Sequence, residues 1–559
     1  MGVHRMGTPR MALTRDHTAR RTKTARARAL DGAHWLAAVA LVAVCCGCGV
    51  IRVADFMAPA IRFDRAANRP LPGAGDPAVE DALARWRALP PAARTRYPTP
   101  YHSYVQTPAP GSFEGEYAVG LAFSGGGTRG TVFCAMCVDE IEQLGAILVR
   151  LPEGTRRIDP LADIDFVSGV STGAIPAAAF VLDRGPNCPG HLRRDAWPEC
   201  FNRDLVARSF KGLALHPHIF LRDLLIGMNG RPAMAGAMAS AFFEGAACKP
   251  ASGLTFRALP EVPLLFIGST VINDPGTPFV QTRLPYRYAL DTYPDTEWGV
   301  GVQSFESFHS DPMAYALGEA CYNSSAFPGY LRSGLMRLHP DQPWVGSGLP
   351  EPEQARMARA RNQPGYAYVY DLKDGGLVDN RGVSSIDRVF ESLARSGGVP
   401  HTPLLIGLDA GYRELRAPER GGRLLKKGWF NEVYSASRAS WQTGQDAYER
   451  LFDAHSNDGL YAYARFRFVA WTPYLGQHGP ESDYLAELCR GEPAIGDAGR
   501  LLEVLRGIGT TMGDLTDAEM DAIRVAARFA VWHERDTLLE WASAIHGGAP
   551  AAFENAPPP

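Results

Sequence analysis

Three consecutive glycines, Gly125–Gly127, follow a short apolar run and precede a helical pattern. Glycine has no side chain and reaches backbone angles that are closed to other residues. At the start of a helix such residues present a row of backbone N–H groups, which attract negative charge. That charge can belong to a bound phosphate or to the oxyanion that forms during acyl transfer. A nucleophile nearby would favour acyl transfer, and a nucleotide fingerprint would favour phosphate.

A nucleophile is offered by Gly169-Val-Ser-Thr-Gly173, which has the form Gly-x-Ser-x-Gly. The pattern predicts a strand over 164–168 before it and a helix over 174–182 behind it. This is the setting of a nucleophile elbow, where a sharp turn exposes the serine and glycines at both flanks relieve close backbone contacts. The alternative is a plain strand-to-helix turn in which Ser171 only caps the helix.

A nucleotide site is less well supported. Gly125-x-Gly127-x-x-Gly130 also matches the dinucleotide fingerprint. Asp139 and Glu140 are too near, and on the wrong element, to be the ribose-binding acid expected about 20 residues on. The Lys-Ser/Thr pair of a phosphate-binding loop is missing as well. The glycine run is therefore better explained as an oxyanion hole.

A nucleophilic serine needs a base. Asp374 follows a predicted strand over 366–370, and Gly375 and Gly376 let the chain turn tightly after it, although Asp-Gly is also a common turn dipeptide. A conventional Ser-Asp-His triad would instead need a late histidine, and His478, which follows a predicted strand over 464–471, is the best placed. From the residues alone, either Asp374 or His478 could be the base.

Together the three motifs resemble those of the patatin-like phospholipases. The glycine loop at 125–130, the elbow at 169–173 and the Asp-Gly-Gly turn at 374–376 occur in that family's order. The resemblance implies a three-layer α/β fold with a central, mainly parallel sheet flanked by helices. It also implies a serine lipid acyl hydrolase of the phospholipase A or lysophospholipase type, with membrane phospholipid or another acyl lipid as substrate and no cofactor or metal.

The resemblance further implies a role for each residue of the site. Ser171 would be the nucleophile, Asp374 the general base without a histidine, and the N–H groups of Gly125, Gly126 and Gly127 the oxyanion hole. Because an ordinary aspartate has a pKa near 3.9, we expect an apolar pocket to raise the pKa of Asp374. The remaining motif residues would support the loops: Arg129, Gly130, Gly169, Gly173, Gly375 and Gly376.

The elements between the motifs alternate strand-like and helix-like from about residue 116 to 545. Further strands are predicted over 117–123, 263–269 and 403–408, and helices over 516–545. Such alternation is typical of an α/β fold with a largely parallel sheet. Apolar segments at 218–228 and 233–243 are typical of core helices, with a lipid-contacting lid as the alternative.

The composition describes a globular body behind a basic start. Apolar residues make up 46% and charged residues 21% of the chain, which is ordinary for a folded protein. Residues 1–31 carry a net charge of +6, so the rest carries −9, which argues against a nucleic-acid partner.

The sequence also suggests how the chain is divided and anchored. Residues 1–51 resemble a signal or membrane anchor, with Cys45, Cys46 or Cys48 as a lipidated residue, so we expect attachment at the cell envelope. The alternatives are an uncleaved anchor and a misassigned start codon. Behind it we expect a Pro-rich tether over 52–114, the hydrolase domain over 115–545 and a disordered tail over 546–559. A catalytically silent envelope protein remains the alternative to an enzyme.

Overall fold

The structure is a computed structural model of the full chain. It describes residues 68–72, 75–90, 104, 116–185, 197–203, 235–236, 238–239, 242–243, 254–272, 277–284, 302–326, 333–339, 369–396, 400–411, 448–508 and 513–555. All of them lie in one compact unit, 62–220 with 229–559. The expected signal or anchor segment at 1–51 and the apolar segment at 218–228 lie outside the described residues. No helix within the described ranges is both long and apolar enough to cross a membrane.

Strands and helices alternate along the described chain. The strands are β1 (Val119–Phe123), β2 (Ile147–Leu151), β3 (Gly154–Ile158), β4 (Phe166–Val170), β5 (Leu264–Val271), β6 (Thr277–Gln281), β7 (Gln303–Ser304), β8 (Gly334–Arg337), β9 (Val369–Asp374), β10 (Leu404–Asp409), β11 (Ala462–Arg467) and β12 (Ala551–Phe553). The helices are α1 (Pro77–Ala88), α2 (Gly127–Leu144), α3 (Ala174–Arg184), α4 (Trp197–Phe201), α5 (Leu317–Ser324), α6 (Ser384–Ser396), α7 (Pro480–Gly491), α8 (Ala498–Gly507) and α9 (Asp517–Ile545).

A mixed, mostly parallel sheet forms the centre and confirms the predicted fold class. Its order is β11-β10-β1-β4-β5-β6-β7, and the pairs from β11 to β5 are all parallel. Strands β1 and β4 are buried along their whole length, as expected where helices cover both faces of a parallel sheet. The carboxyl ends of β1 and β4, which carry the glycine loop and the serine elbow, therefore meet at one edge.

Helices cover both faces of this sheet. On one face a large core joins the apolar side chains of α2, α3 and α9 to alternate strand residues such as Leu121 and Val167. On the other face a smaller core joins α6, through Ile386 and Phe390, to Phe166 of β4. The two cores account for the layered arrangement, because successive side chains of each strand point to opposite faces. Of the apolar segment at 233–243, the described side chains are buried.

Strand β9 continues the line of β4. Strand β5 pairs with β4 as far as Gly268, and from Ser269 onward it pairs with β9. Since β6 occupies the other edge of β5 over the same residues, β9 must use the edge that β4 leaves. Strand β9 runs antiparallel to β5 and ends at Asp374, opposite Ser269. The end of β9 therefore abuts the end of β4, which is where the chain enters the serine elbow.

Two expectations about the chain ends need correction. The segment before the domain, expected as a tether, is packed in its described part: α1 buries Val79 and Ala82, and the Asn68 side chain donates to the Arg337 carbonyl at 2.7 Å. Helix packing and backbone contacts outweigh the loop-like proline content there. The tail expected to be disordered over 546–559 is ordered in its described part, 546–555, where it forms β12, which pairs with β2 and buries Phe553.

Candidate active site

Ser171 lies at the turn between β4 and α3. Its φ of 53° is in the left-handed region, which is unusual for a residue with a side chain and marks a strained elbow. Both flanking glycines are sterically required. A methyl group on Gly169 would lie 2.7 Å from the Ala174 Cα, and one on Gly173 would lie 2.3 Å from the Ser124 carbonyl oxygen. The turn is therefore closed against the end of β1 as well as against α3.

The Ser171 hydroxyl donates to a carboxylate. Its Oγ lies 2.8 Å from Oδ2 of Asp374, and both side chains are almost fully buried. The other oxygen, Oδ1, accepts the backbone N–H of Gly376 at 2.8 Å. Burial raises the pKa of Asp374 to about 7, although the hydrogen bonds from Ser171 and Gly376 and the charge of Lys373 each lower it. This agrees with the raised pKa expected from the sequence and gives a base suited to neutral pH.

The turn after Asp374 is possible only with glycine. A methyl group on Gly375 would lie 2.2 Å from the Gly268 carbonyl oxygen and 2.6 Å from Val170. The absence of a side chain at 375 thus lets β9 end directly against β4 and β5. The predicted strand over 366–370 corresponds to β9, which extends further, to Asp374, because it pairs with β5 and β8.

The glycine loop faces the same point. Gly126 has a φ of 142°, and Gly127 begins α2 with a φ of 66°. A methyl group on Gly125 would lie 2.7 Å from the Ser171 Cβ, so the loop lies directly against the serine. Within the described part of the chain, the N–H groups of Gly126 and Gly127 have no acceptor. These two groups are the ones placed to receive a developing negative charge.

Gly125 does not fit the role expected from the sequence. Its backbone N–H donates to the carbonyl oxygen of Asn380 at 2.9 Å. A hydrogen atom that is already bonded to a backbone carbonyl does not contribute to an oxyanion hole in this arrangement. The oxyanion hole predicted from three glycine N–H groups is therefore reduced to the groups of Gly126 and Gly127, and Gly125 joins the loop to the segment after Asp374.

Hydroxyl groups fix the loop to the elbow. The Gly127 carbonyl accepts hydrogen bonds from the hydroxyls of Thr131, at 3.0 Å, and Thr172, at 2.9 Å. Gly130 allows the loop to fold back, because a methyl group there would lie 2.7 Å from the Gly125 carbonyl oxygen. These contacts hold the serine turn and the glycine turn in one fixed relation, which is what preorganised stabilisation of charge requires.

Arg129 lies behind the loop. It is 1% exposed, its Nη2 donates to the Ala410 carbonyl at 3.2 Å, and its guanidinium lies over the Phe468 ring. The backbone N–H of Ala410 in turn donates to the Ser124 hydroxyl at 2.7 Å. This position suits the expected role of organising the loop rather than contacting substrate.

A charge cluster around the buried Asp409 was not predicted from the sequence. Asp409, at the end of β10, accepts two hydrogen bonds from Arg465 and lies 3.4 Å from Arg381, and both arginines pair with Glu449. Burial alone would raise the pKa of Asp409, but the charges of Arg465 and Arg381 hold it well below its usual range. No short sequence motif predicts this cluster, because its four members come from four separate segments of the chain.

The other expected residues lie elsewhere. His478 is exposed in the turn before α7, and the structure gives Ser171 a carboxylate partner instead. Asp139 and Glu140, whose spacing from the glycines does not suit a ribose-binding acid, lie in the C-terminal half of α2. Among the described residues there is no group of three histidine, cysteine or acidic side chains that could hold a metal ion.

These features define a class: an α/β protein with a serine elbow, a carboxylate partner and a glycine loop at one sheet edge. Residues 121–387 match the family model for patatin-like phospholipase. No curated protein matches the chain. Among solved structures, human GIVD cytosolic phospholipase A2 aligns with a TM-score of 0.37 and 11% identity over 86% of this chain and 68% of its own. The same human enzyme with methyl gamma-linolenyl fluorophosphonate inhibitor and terbium chloride aligns with a TM-score of 0.35 and 13% identity over 84% and 64%.

Proposed function

We propose that this protein is a serine lipid acyl hydrolase of the phospholipase A or lysophospholipase type. The observation that carries the proposal is the 2.8 Å hydrogen bond from the Ser171 hydroxyl to a buried Asp374 whose pKa is raised to about 7. A carboxylate with that pKa can accept the serine proton near neutral pH. The match of residues 121–387 to the patatin-like phospholipase model supports a lipid ester as the substrate class.

The proposed reaction begins at the serine. Asp374 Oδ2 takes the proton from Ser171 Oγ as that oxygen attacks the ester carbonyl carbon. The carbonyl oxygen becomes negative and accepts hydrogen bonds from the N–H groups of Gly126 and Gly127. When the tetrahedral intermediate collapses, the ester C–O bond breaks, and the departing alcohol takes the proton from Asp374. This leaves an acyl group on Ser171.

Water completes the cycle. Asp374 takes a proton from a water molecule, whose oxygen attacks the acyl carbonyl. The second tetrahedral intermediate collapses by breaking the bond to Ser171 Oγ, which regains its proton from Asp374, and the free acid leaves. Each proton that Asp374 receives is returned within the same half-reaction, so no further base is needed.

We also propose that residues 1–51 attach the protein to the cell envelope. If residues 1–51 attach the chain to the cell envelope, the hydrolase would meet membrane phospholipid without a separate binding domain. Expression of the full chain, followed by separation of membrane and soluble fractions with and without residues 1–51, tests this. Recovery of the intact chain only in the soluble fraction would contradict the expected attachment.

The activity is tested with a panel of phospholipids and lysophospholipids. We expect Ser171→Ala to abolish hydrolysis and labelling by a fluorophosphonate probe. We expect Asp374→Asn to lower kcat by about 10³-fold, within the range for loss of a general base. Asp371→Asn, on the same strand, is the matched control and should retain activity within about twofold. His478→Ala should behave like wild type, and a loss as large as that of Ser171→Ala would favour a conventional triad.

A further inference from the structure

We propose that Asn380 is a further catalytic residue, whose side-chain carboxamide donates a hydrogen bond to the oxyanion formed at Ser171. The proposal rests on the proposed function and adds a donor that the glycine motif does not contain. It starts from the finding that the Gly125 N–H is occupied by the Asn380 carbonyl. Asn380 thus occupies the Gly125 N–H with its backbone carbonyl, and its side-chain NH₂ group can act as a donor at the same site.

The Asn380 side chain lies at the centre of the site. A methyl group on Gly125 would be 2.5 Å from Asn380 Oδ1 and 2.7 Å from the Ser171 Cβ. A methyl group on Gly376 would be 2.7 Å from the same Oδ1 and 3.0 Å from Asp374 Oδ1. The carboxamide therefore fills the space between the glycine loop and the Asp-Gly-Gly turn, beside both members of the serine–aspartate pair. Glycine at 125 and 376 is what makes room for it.

Nothing among the described residues satisfies this carboxamide. It is half-buried, its oxygen and NH₂ group make no hydrogen bond to a described residue, and neither atom is closed off from solvent. A half-turn about the Cβ–Cγ bond exchanges the two groups, so the NH₂ group can take the position of Oδ1. A polar group beside a nucleophile that makes no bond within the described protein and can be reached from outside is available to bind an atom of the substrate that becomes charged during the reaction.

The backbone around Asn380 is held firmly. The Asp379 carboxylate accepts the N–H groups of Arg381, at 2.9 Å, and Ser384, at 2.8 Å. Arg381 forms ion pairs with Asp409 and Glu449, as part of the charge cluster around Asp409. A donor that contributes to transition-state binding must be fixed before the charge develops, and these contacts supply that rigidity.

Side-chain variants separate the carboxamide from the backbone contact. The Asn380 carbonyl still accepts the Gly125 N–H in any variant, so a purely structural role of the backbone would leave activity unchanged. We expect Asn380→Ala to lower kcat by about 100-fold with KM changed less than about threefold, as for the loss of one oxyanion donor. Asn380→Asp keeps the size but puts a negative charge beside the forming oxyanion, so its kcat should fall further. Val378→Ala, in the same turn, is the matched control and should stay within about twofold of wild type.

Labelling by a fluorophosphonate probe provides a second readout that needs no lipid substrate. Attack of Ser171 on the probe also creates a negative oxygen, so its rate should fall about as far as kcat in both Asn380 variants, while their thermal unfolding stays near that of wild type. Labelling and hydrolysis of both variants within threefold of wild type would overturn the role of Asn380 and leave the proposed function intact. Absence of labelling at Ser171 in wild type would overturn the proposed function itself, and this role with it.

Discussion

Two buried aspartates end two strands of the same sheet, and their pKa values are shifted in opposite directions. Asp374 closes β9 and Asp409 closes β10, and both are over 90% buried. Burial raises the pKa of Asp374 to about 7, whereas the pKa of Asp409 is held well below its usual range. Both carboxylates receive hydrogen bonds, so hydrogen bonding alone does not explain the difference.

The difference lies in the neighbouring cations. Asp409 has the guanidinium groups of Arg465 and Arg381 within 3.4 Å, whereas Asp374 has a hydroxyl, a backbone N–H and only the weak influence of Lys373. A buried carboxylate with paired cations stays ionised and serves as a structural anchor. One without them holds its proton near neutral pH and can exchange it. The same residue type therefore becomes an anchor or a base according to what surrounds it.

The largest expected effect is on stability: replacing the two aspartates should change the free energy of unfolding in opposite directions. Asp409→Asn leaves the partly buried Arg381 and Arg465 without their shared carboxylate and should lower the free energy of unfolding by about 3 kcal/mol. Asp374→Asn removes a poorly solvated charge and should raise it by up to about 4 kcal/mol at pH 8, since the pKa is raised from 3.8 to about 7 and each pKa unit corresponds to about 1.4 kcal/mol. Urea unfolding of both variants at pH 8 and pH 5 measures these changes.

The pH dependence follows from linkage. The folded pKa of Asp374 lies above the unfolded value, so its destabilisation of the fold builds up between about pH 4 and pH 7 and is complete above pH 7. The gain from Asp374→Asn should therefore shrink between pH 8 and pH 5. The folded pKa of Asp409 lies below the unfolded value, so its contribution is present at both pH values and is lost only in stronger acid. Equal destabilisation by the two variants at pH 8 would remove the basis of the comparison.

Activity provides the next largest effect. A general base must be deprotonated, so kcat/KM should rise with pH through about 7 and fall about tenfold for each unit below it. At pH 5 the enzyme should be nearly inactive but folded, since Asp409 stays ionised there. A profile from pH 5 to 9, with circular dichroism at each point and recovery of activity on return to pH 8, measures this. A rate that stays flat down to pH 5 would mean that Asp374 has an ordinary pKa.

Local rules were enough to predict one of the two aspartates. Asp374 stands in a short motif in which Gly375 is required because a side chain there would overlap Gly268 and Val170. The residue that permits the turn therefore also identifies the aspartate before it. The elbow could be predicted for the same reason, because Gly169 and Gly173 are required by the close contacts of the turn. The alternation of strands and helices likewise predicted the parallel sheet, because parallel strands are joined by helices that cover both faces of the sheet. Strands covered on both faces are also apolar along their whole length.

Contacts between distant segments were not predictable in this way. The partners of Asp409 lie far from it in sequence, and each is an ordinary surface-type residue when taken alone. The loss of the Gly125 N–H to Asn380 depends on a loop that follows some 250 residues later. The packed residues at 68–72 and 75–90 and strand β12 depend on tertiary contacts that override the proline content and the position near the chain end. In each case a long-range partner, absent from the local pattern, decided the outcome.

The smallest expected effect concerns Lys373, the cation among the described residues whose charge lowers the pKa of Asp374. Lys373 precedes it on β9, is partly exposed, and lowers the pKa of Asp374 less than the two hydrogen bonds do. Lys373→Gln should therefore move the lower inflection of the kcat/KM profile upward by about half a pH unit at low salt, which is roughly a threefold loss at pH 6. Lys373→Arg keeps the charge and should leave the inflection unchanged, and added salt should bring wild type toward Lys373→Gln. A downward shift in Lys373→Gln would show that something other than charge sets the pKa of Asp374, and that cations do not distinguish the two aspartates.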